Sequence, residues 1–131
     1  VSEIIQPADW PRPRGYSNAV AARGKVIAVA GQVGWNPETL QFGSEDMVDQ
    51  ARTALANVVA VLHAAGAEPQ HVIRMTWYIT DRRAYMENTR RIGEAYREIF
   101  GRHYPAMTVV VVSELIESQA QIEIEATAVV P

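Results

Sequence analysis

The stretch from Val48 to Leu62 constrains the fold more than any other part of the chain. Val48, Ala51, Leu55, Val58, Val59 and Leu62 recur at three- and four-residue steps, which places them on one face of an α-helix and obliges that face to be buried. Ser44 precedes the segment as an N-cap, Glu45 and Asp46 stand in the first turn where a carboxylate complements the helix dipole, and Gly66 stops it. The flanking runs have a different character. Residues 25–31, with Val26, Ile27 and Val29, and residues 71–80, rich in branched and aromatic side chains, are expected to be strands.

A second helix is expected after Asp81, a good cap, with Tyr85, Ile92, Tyr96, Ile99 and Phe100 as its inner side and Gly101 as its end. Strands 108–113 and 121–130 follow. Near the start, residues 2–6 form a short strand, and the Pro11-Arg12-Pro13-Arg14-Gly15 stretch is irregular because proline removes ladder donors. Residues 16–22 and 25–31 form a hairpin around Arg23-Gly24, and Gly34, Asn36-Pro37 and Gly43 mark a loop. The order is β-β-α-β-α-β-β, an α+β fold in which right-handed crossovers put both helices on one face of a mixed sheet. Thr108 to Val112, apolar at nearly successive positions, is expected to be buried on both sides. One domain, 1–131, has no element left to cover the other face, so burial by oligomerisation is expected.

The residue inventory limits the chemistry. With no cysteine there is no disulfide, thiolate nucleophile or zinc–thiolate site. The only lysine, Lys25, lies beside a turn, a poor place for a desolvated Schiff-base amine. His63, His71 and His103 lack the spacing of a helical metal site. A net charge of -3 with scattered arginines leaves no electrostatic footprint for nucleic acid. No apolar run is long enough for a membrane span, and residues 1–10 lack the basic start and apolar block of a signal peptide, so a cytoplasmic location is expected.

Seven motifs occur in order along the chain: Gly15-Tyr16-Ser17-Asn18-Ala19-Val20, Ala30-Gly31-Gln32-Val33, Gln50-Ala51-Arg52 through Asn57-Val58, Ala65-Gly66-Ala67, Val72-Ile73-Arg74-Met75-Thr76, Pro105-Ala106, and Ile122-Glu123-Ile124-Glu125-Ala126. This set resembles the Rid family, also called YjgF, of reactive-intermediate deaminases. The resemblance implies a homotrimer whose sheets form a central barrel, with a ligand cleft at each subunit interface. It further implies hydrolysis of enamines and imines to keto compounds and ammonia, with no metal or organic cofactor. By the same resemblance the cleft contains Tyr16, Ala30, Gly31, Gln32, Pro105, Ala106, Met107 and Glu123. Glu123 would hold or activate the water, Tyr16 would close the cleft and donate a hydrogen bond, and Gly31 would let backbone approach the ligand.

Three positions depart from the family pattern. Met107 stands where an arginine grips the substrate carboxylate, Ala30 replaces a serine, and Gly93 falls where the second helix has an asparagine. A more apolar pocket follows, with a substrate other than 2-aminoacrylate, or with Arg14 or Arg102 recruited from nearby loops. The alternative is a non-catalytic trimer that binds a small molecule in the same cleft. An RNA-directed role is a third reading, and the acidic balance opposes it.

Overall fold

The computed structural model describes residues 2–131. In chain order its elements are β1 (Glu3–Ile5), β2 (Ala19–Ala21), β3 (Lys25–Val33), α1 (Met47–Ala64), a 3-10 turn (Pro69–His71), β4 (Val72–Ile79), α2 (Arg82–Glu87), α3 (Thr89–Phe100), β5 (Ala106–Val111) and β6 (Ile122–Val130). Four strands make one mixed sheet in the order β3-β6-β4-β5, in which β4 and β5 are parallel and β6 is antiparallel to both of its neighbours. The expected α+β class with helices over one sheet face is therefore observed.

The apolar face of α1 is the one its spacing predicts. Val48, Ala51, Leu55, Val58 and Leu62 are buried against Val29, Met75, Trp77, Ile122 and Ile124, and α3 adds Ile92, Ala95, Tyr96 and Phe100 to the same core. Two polar residues on α1 are also buried, and each is satisfied by backbone. The Gln50 amide donates to the carbonyls of Ser44 and Gln119 and accepts from the Gln121 N–H. Asn57 donates to the carbonyls of Val33 and Trp35. These bonds fix the end of β3 and the start of β6 to one rigid helix.

Several local expectations fail for identifiable reasons. The hairpin between residues 16–22 and 25–31 does not form, because β2 pairs with β1 while Lys25 opens β3 opposite Val130 of β6. Asp46, not Ser44, caps α1 by accepting from the Asp49 N–H, and Ser44 in turn accepts from the Asp46 N–H. The second helix is two helices. Asn88 leaves helical geometry at ψ 17° between α2 and α3, and its amide donates back to the Ala84 carbonyl.

Within one chain the 108–112 run is covered on one side only: Thr108, Val110 and Val111 are exposed. The strand lies at the sheet edge, so helices cover only the side that carries Met107 and Val109. The opposite sheet face, with Tyr78, Glu123, Glu125 and Thr127 half-buried along it, has no helix over it.

Candidate functional site

The residues expected to form the site fall into two groups. The first lies on β3 and β6. Val29 pairs with Ala126 and Gln32 with Ile124, so Ala30 and Gly31 together oppose the single residue Glu125. This is a β-bulge, a device that bends a strand and re-aims side chains. Here it brings the Gly31 backbone under the Glu123 side chain. A Cβ built on Gly31 would lie 2.0 Å from Glu123 Oε2, so the glycine is required by the carboxylate itself. Gln32 turns its amide back onto the Ala30 carbonyl at 3.1 Å. Glu123 is cross-strand neighbour to Tyr78, whose hydroxyl donates to Glu125 at 2.6 Å. That bond to an anion holds the Tyr78 phenol above its ordinary range, with burial and the charges of Glu125 and Glu123 acting in the same direction.

The second group lies at the start of β5. Ser17 is buried, its N–H donates to the Pro105 carbonyl at 3.0 Å and its hydroxyl to the Tyr104 carbonyl at 2.6 Å. It also bridges to Ala106 in parallel fashion. One small side chain thus ties the 15–20 motif to the 104–106 motif and sets Tyr16 beside β5. Together with α2 and α3 they enclose a cavity of about 390 Å³. Tyr16, Trp77, Tyr85, Tyr96, Tyr104 and Met107 are among the residues that line it. Met107 packs against the core from this side. Burial pushes the Tyr85 and Tyr96 phenols upward, so both remain neutral, and Tyr96 donates to the His103 carbonyl.

Within one chain these groups do not meet. Met107 pairs with Met75 and so faces the helices, whereas Glu123 pairs with Tyr78 and faces the uncovered side. They are two strands and three residues apart along the sheet, about 14 Å between backbones at ordinary strand spacings. Ala30, Gly31 and Gln32 lie one strand farther, on the opposite sheet edge.

The similarities of the chain concern its whole length. Residues 10–130 match the family model described as Endoribonuclease L-PSP. A RutC family protein of Pyrococcus horikoshii is 38% identical over 98% of both chains. A solved Rid-family protein of Yersinia pestis superposes with a TM-score of 0.86 at 31% identity, again over 98% of each. The chain belongs to the Rid family. Within Rid, the human 2-iminobutanoate/2-iminopropanoate deaminase is 30% identical over 98% of this chain and 90% of its own.

Thr89, Ile92, Gly93, Tyr96 and Arg97 line the cavity of this Rid chain from successive turns of α3, with Arg14 from the proline-rich segment. Of these, Gly93 and Arg14 were expected near the site, whereas Thr89 and Arg97 were passed over in the sequence. Arg97 is exposed and lies one turn beyond Gly93, on the flank of the buried Ile92–Tyr96 stripe, where its charge makes it look like an ordinary solvated residue. Arg102, the other arginine considered, lines a separate depression with Arg12 and His103. The histidines have structural partners: His63 pairs with Glu68, His71 accepts from the Glu68 N–H, and His103 meets the Val72 carbonyl. Among the described residues, no helix is long and apolar enough to cross a membrane.

Proposed function

We propose that this protein hydrolyses reactive enamines and imines to keto compounds and ammonia, in clefts that form between copies of the chain in a homotrimer. The observation that carries the reading is the Glu123 carboxylate, seated over the bulge at Gly31 and free of any salt bridge among the described residues. The separation of Glu123 from the Tyr16–Met107 cavity supports the oligomeric part. The β3 edge, the β5 edge beyond Ala106 and an uncovered face allow one copy to present Glu123 to the cavity of the next.

In this scheme Glu123 takes a proton from water as the water oxygen bonds to the imine carbon. The C=N pair moves to nitrogen, which takes the proton back from Glu123 and gives a neutral carbinolamine. Glu123 then carries the hydroxyl proton to nitrogen as the C–N bond breaks, so that ammonia leaves with the bonding pair and the hydroxyl oxygen becomes the carbonyl. Atoms and electrons balance without a cofactor. Tyr16 closes the cleft over the ligand, while Ala30, Gln32, Pro105, Ala106 and Met107 shape it.

Ammonia release from imines generated in place by an amino-acid oxidase tests the chemistry, and sedimentation tests the trimer. Turnover by the native protein that disappears in Glu123→Gln is the expected result. Saturable ligand binding without turnover would replace this reading with that of a non-catalytic binding protein.

A further inference from the structure

The charge in the Tyr16–Met107 cavity comes from two arginines, one in the proline-rich segment and one on α3. Among the described residues, Arg14 and Arg97 are the only charged ones in its wall, and no carboxylate lines it. Elsewhere Arg52, Arg83 and Arg91 each meet a carboxylate at 3.1–3.4 Å, but among the described residues neither Arg14 nor Arg97 does. Two unneutralised guanidinium groups thus border an aromatic cavity.

Gly93 explains where the Arg97 head lies. It precedes Arg97 by one helical turn, and helical side chains lean toward the N-terminus. The nearest non-helix-backbone atom to a Cβ built at Gly93 is Arg97 Nη1, at 3.3 Å. The guanidinium is therefore folded back over the glycine, in space that a longer side chain at 93 would contest. Met107, on the strand across the cavity, offers no charge to compete for an anion.

We propose that Arg97, seconded by Arg14, is the receptor for the substrate carboxylate, and that the substrates are 2-imino acids with an aromatic or long apolar side chain. The planar two-pronged donor suits a carboxylate. Trp77, Tyr85, Tyr96 and Ile92 supply flat apolar surface for the rest of the molecule. A cavity of about 390 Å³ lies within the usual range for small-molecule sites, about 300–1,000 Å³. The imine part of this assignment rests on the deaminase reading; the anion site rests on the cavity.

Calorimetry with phenylpyruvate, pyruvate and the uncharged phenylacetone tests it on the intact protein. Phenylpyruvate should bind at least about tenfold more tightly than pyruvate. Arg97→Leu should weaken phenylpyruvate about ten- to a hundredfold, the loss typical of a charged hydrogen bond, while leaving phenylacetone unchanged. Arg97→Lys should fall between. Adding Met107→Arg to Arg97→Leu should restore part of the affinity, because both positions line one cavity.

Unchanged phenylpyruvate affinity in correctly folded Arg97→Leu overturns the assignment. The two readings fail separately. Binding through Arg97 with no ammonia from any imine leaves the anion site standing and removes the deaminase. Ammonia release with an unaltered KM for the phenylalanine-derived imine in Arg97→Leu does the reverse.

Discussion

Two glycines on opposite sides of the sheet make different use of the missing Cβ. At Gly31 the vacant space is filled by the Glu123 carboxylate, at a separation no side chain could share. At Gly93 it is bordered by the movable end of Arg97 at 3.3 Å. The first position is held by a bulge between paired strands, the second by a turn of α3 that borders the cavity. A carboxylate seated on the bulge is placed where a proton transfer of defined geometry can use it. An adaptable guanidinium suits recognition of ligands that differ in size.

The comparison can be broken at several points. Replacing Glu123 by Gln should lower kcat by about 10²-fold or more, the usual contribution of a general base, with the melting temperature retained. Gly31→Ala forces the carboxylate aside and should lower kcat at least about tenfold while costing about 1–3 kcal/mol in denaturant unfolding. Gly93→Ala should behave in the opposite sense. Alanine is the better helix former by up to about 1 kcal/mol, and the flexible Arg97 can yield a few tenths of an ångström. Equal destabilisation by the two alanines would erase the distinction.

A smaller effect separates the tyrosines. Tyr85 and Tyr96 are raised by burial, and Tyr78 by its bond to Glu125. A raised folded pKa means stability that is fully present below about pH 10, where the unfolded phenol ionises, and lost as pH rises through the folded value. Melting temperatures should therefore fall above about pH 10. Tyr96→Phe should flatten that fall more than Tyr78→Phe, because Tyr78 is the better solvated of the two. A steeper fall in either variant would contradict the sign.

Much of this architecture was legible in the sequence, and the failures have a common cause. The α1 stripe was readable because one helix face meets one core, a relation carried by spacing alone. The β5 run shows where spacing stops being informative, because consecutive apolar residues do not tell which side their own chain covers, and here Val110 and Val111 stay exposed. The 16–31 hairpin was misread because Arg23-Gly24 is a good local turn, whereas the partner of β3 lies about a hundred residues onward. Asn88 interrupts a helix without a proline to announce it. For the site, the motif residues near Glu123 and Tyr16 stood out, but Arg97 did not. A cation next to a core stripe looks like a solvated one until the cavity beside it is seen.

The Ser17 clasp has a consequence for how the protein forms. Its two hydrogen bonds span 87 and 88 positions in the chain, so the wall bearing Tyr16 closes only when the 15–20 and 104–106 segments have met. Contacts of such long sequence separation are slow to gain because loop closure must precede them. A ligand of the cavity would bind only the completed form and would raise the unfolding midpoint in proportion to its occupancy. Ser17→Ala should uncouple the two, lowering the midpoint by a few degrees through a loss of about 1–3 kcal/mol and shrinking the shift that phenylpyruvate produces. The clasp thereby makes ligand-dependent melting a measure of whether the chain has finished folding.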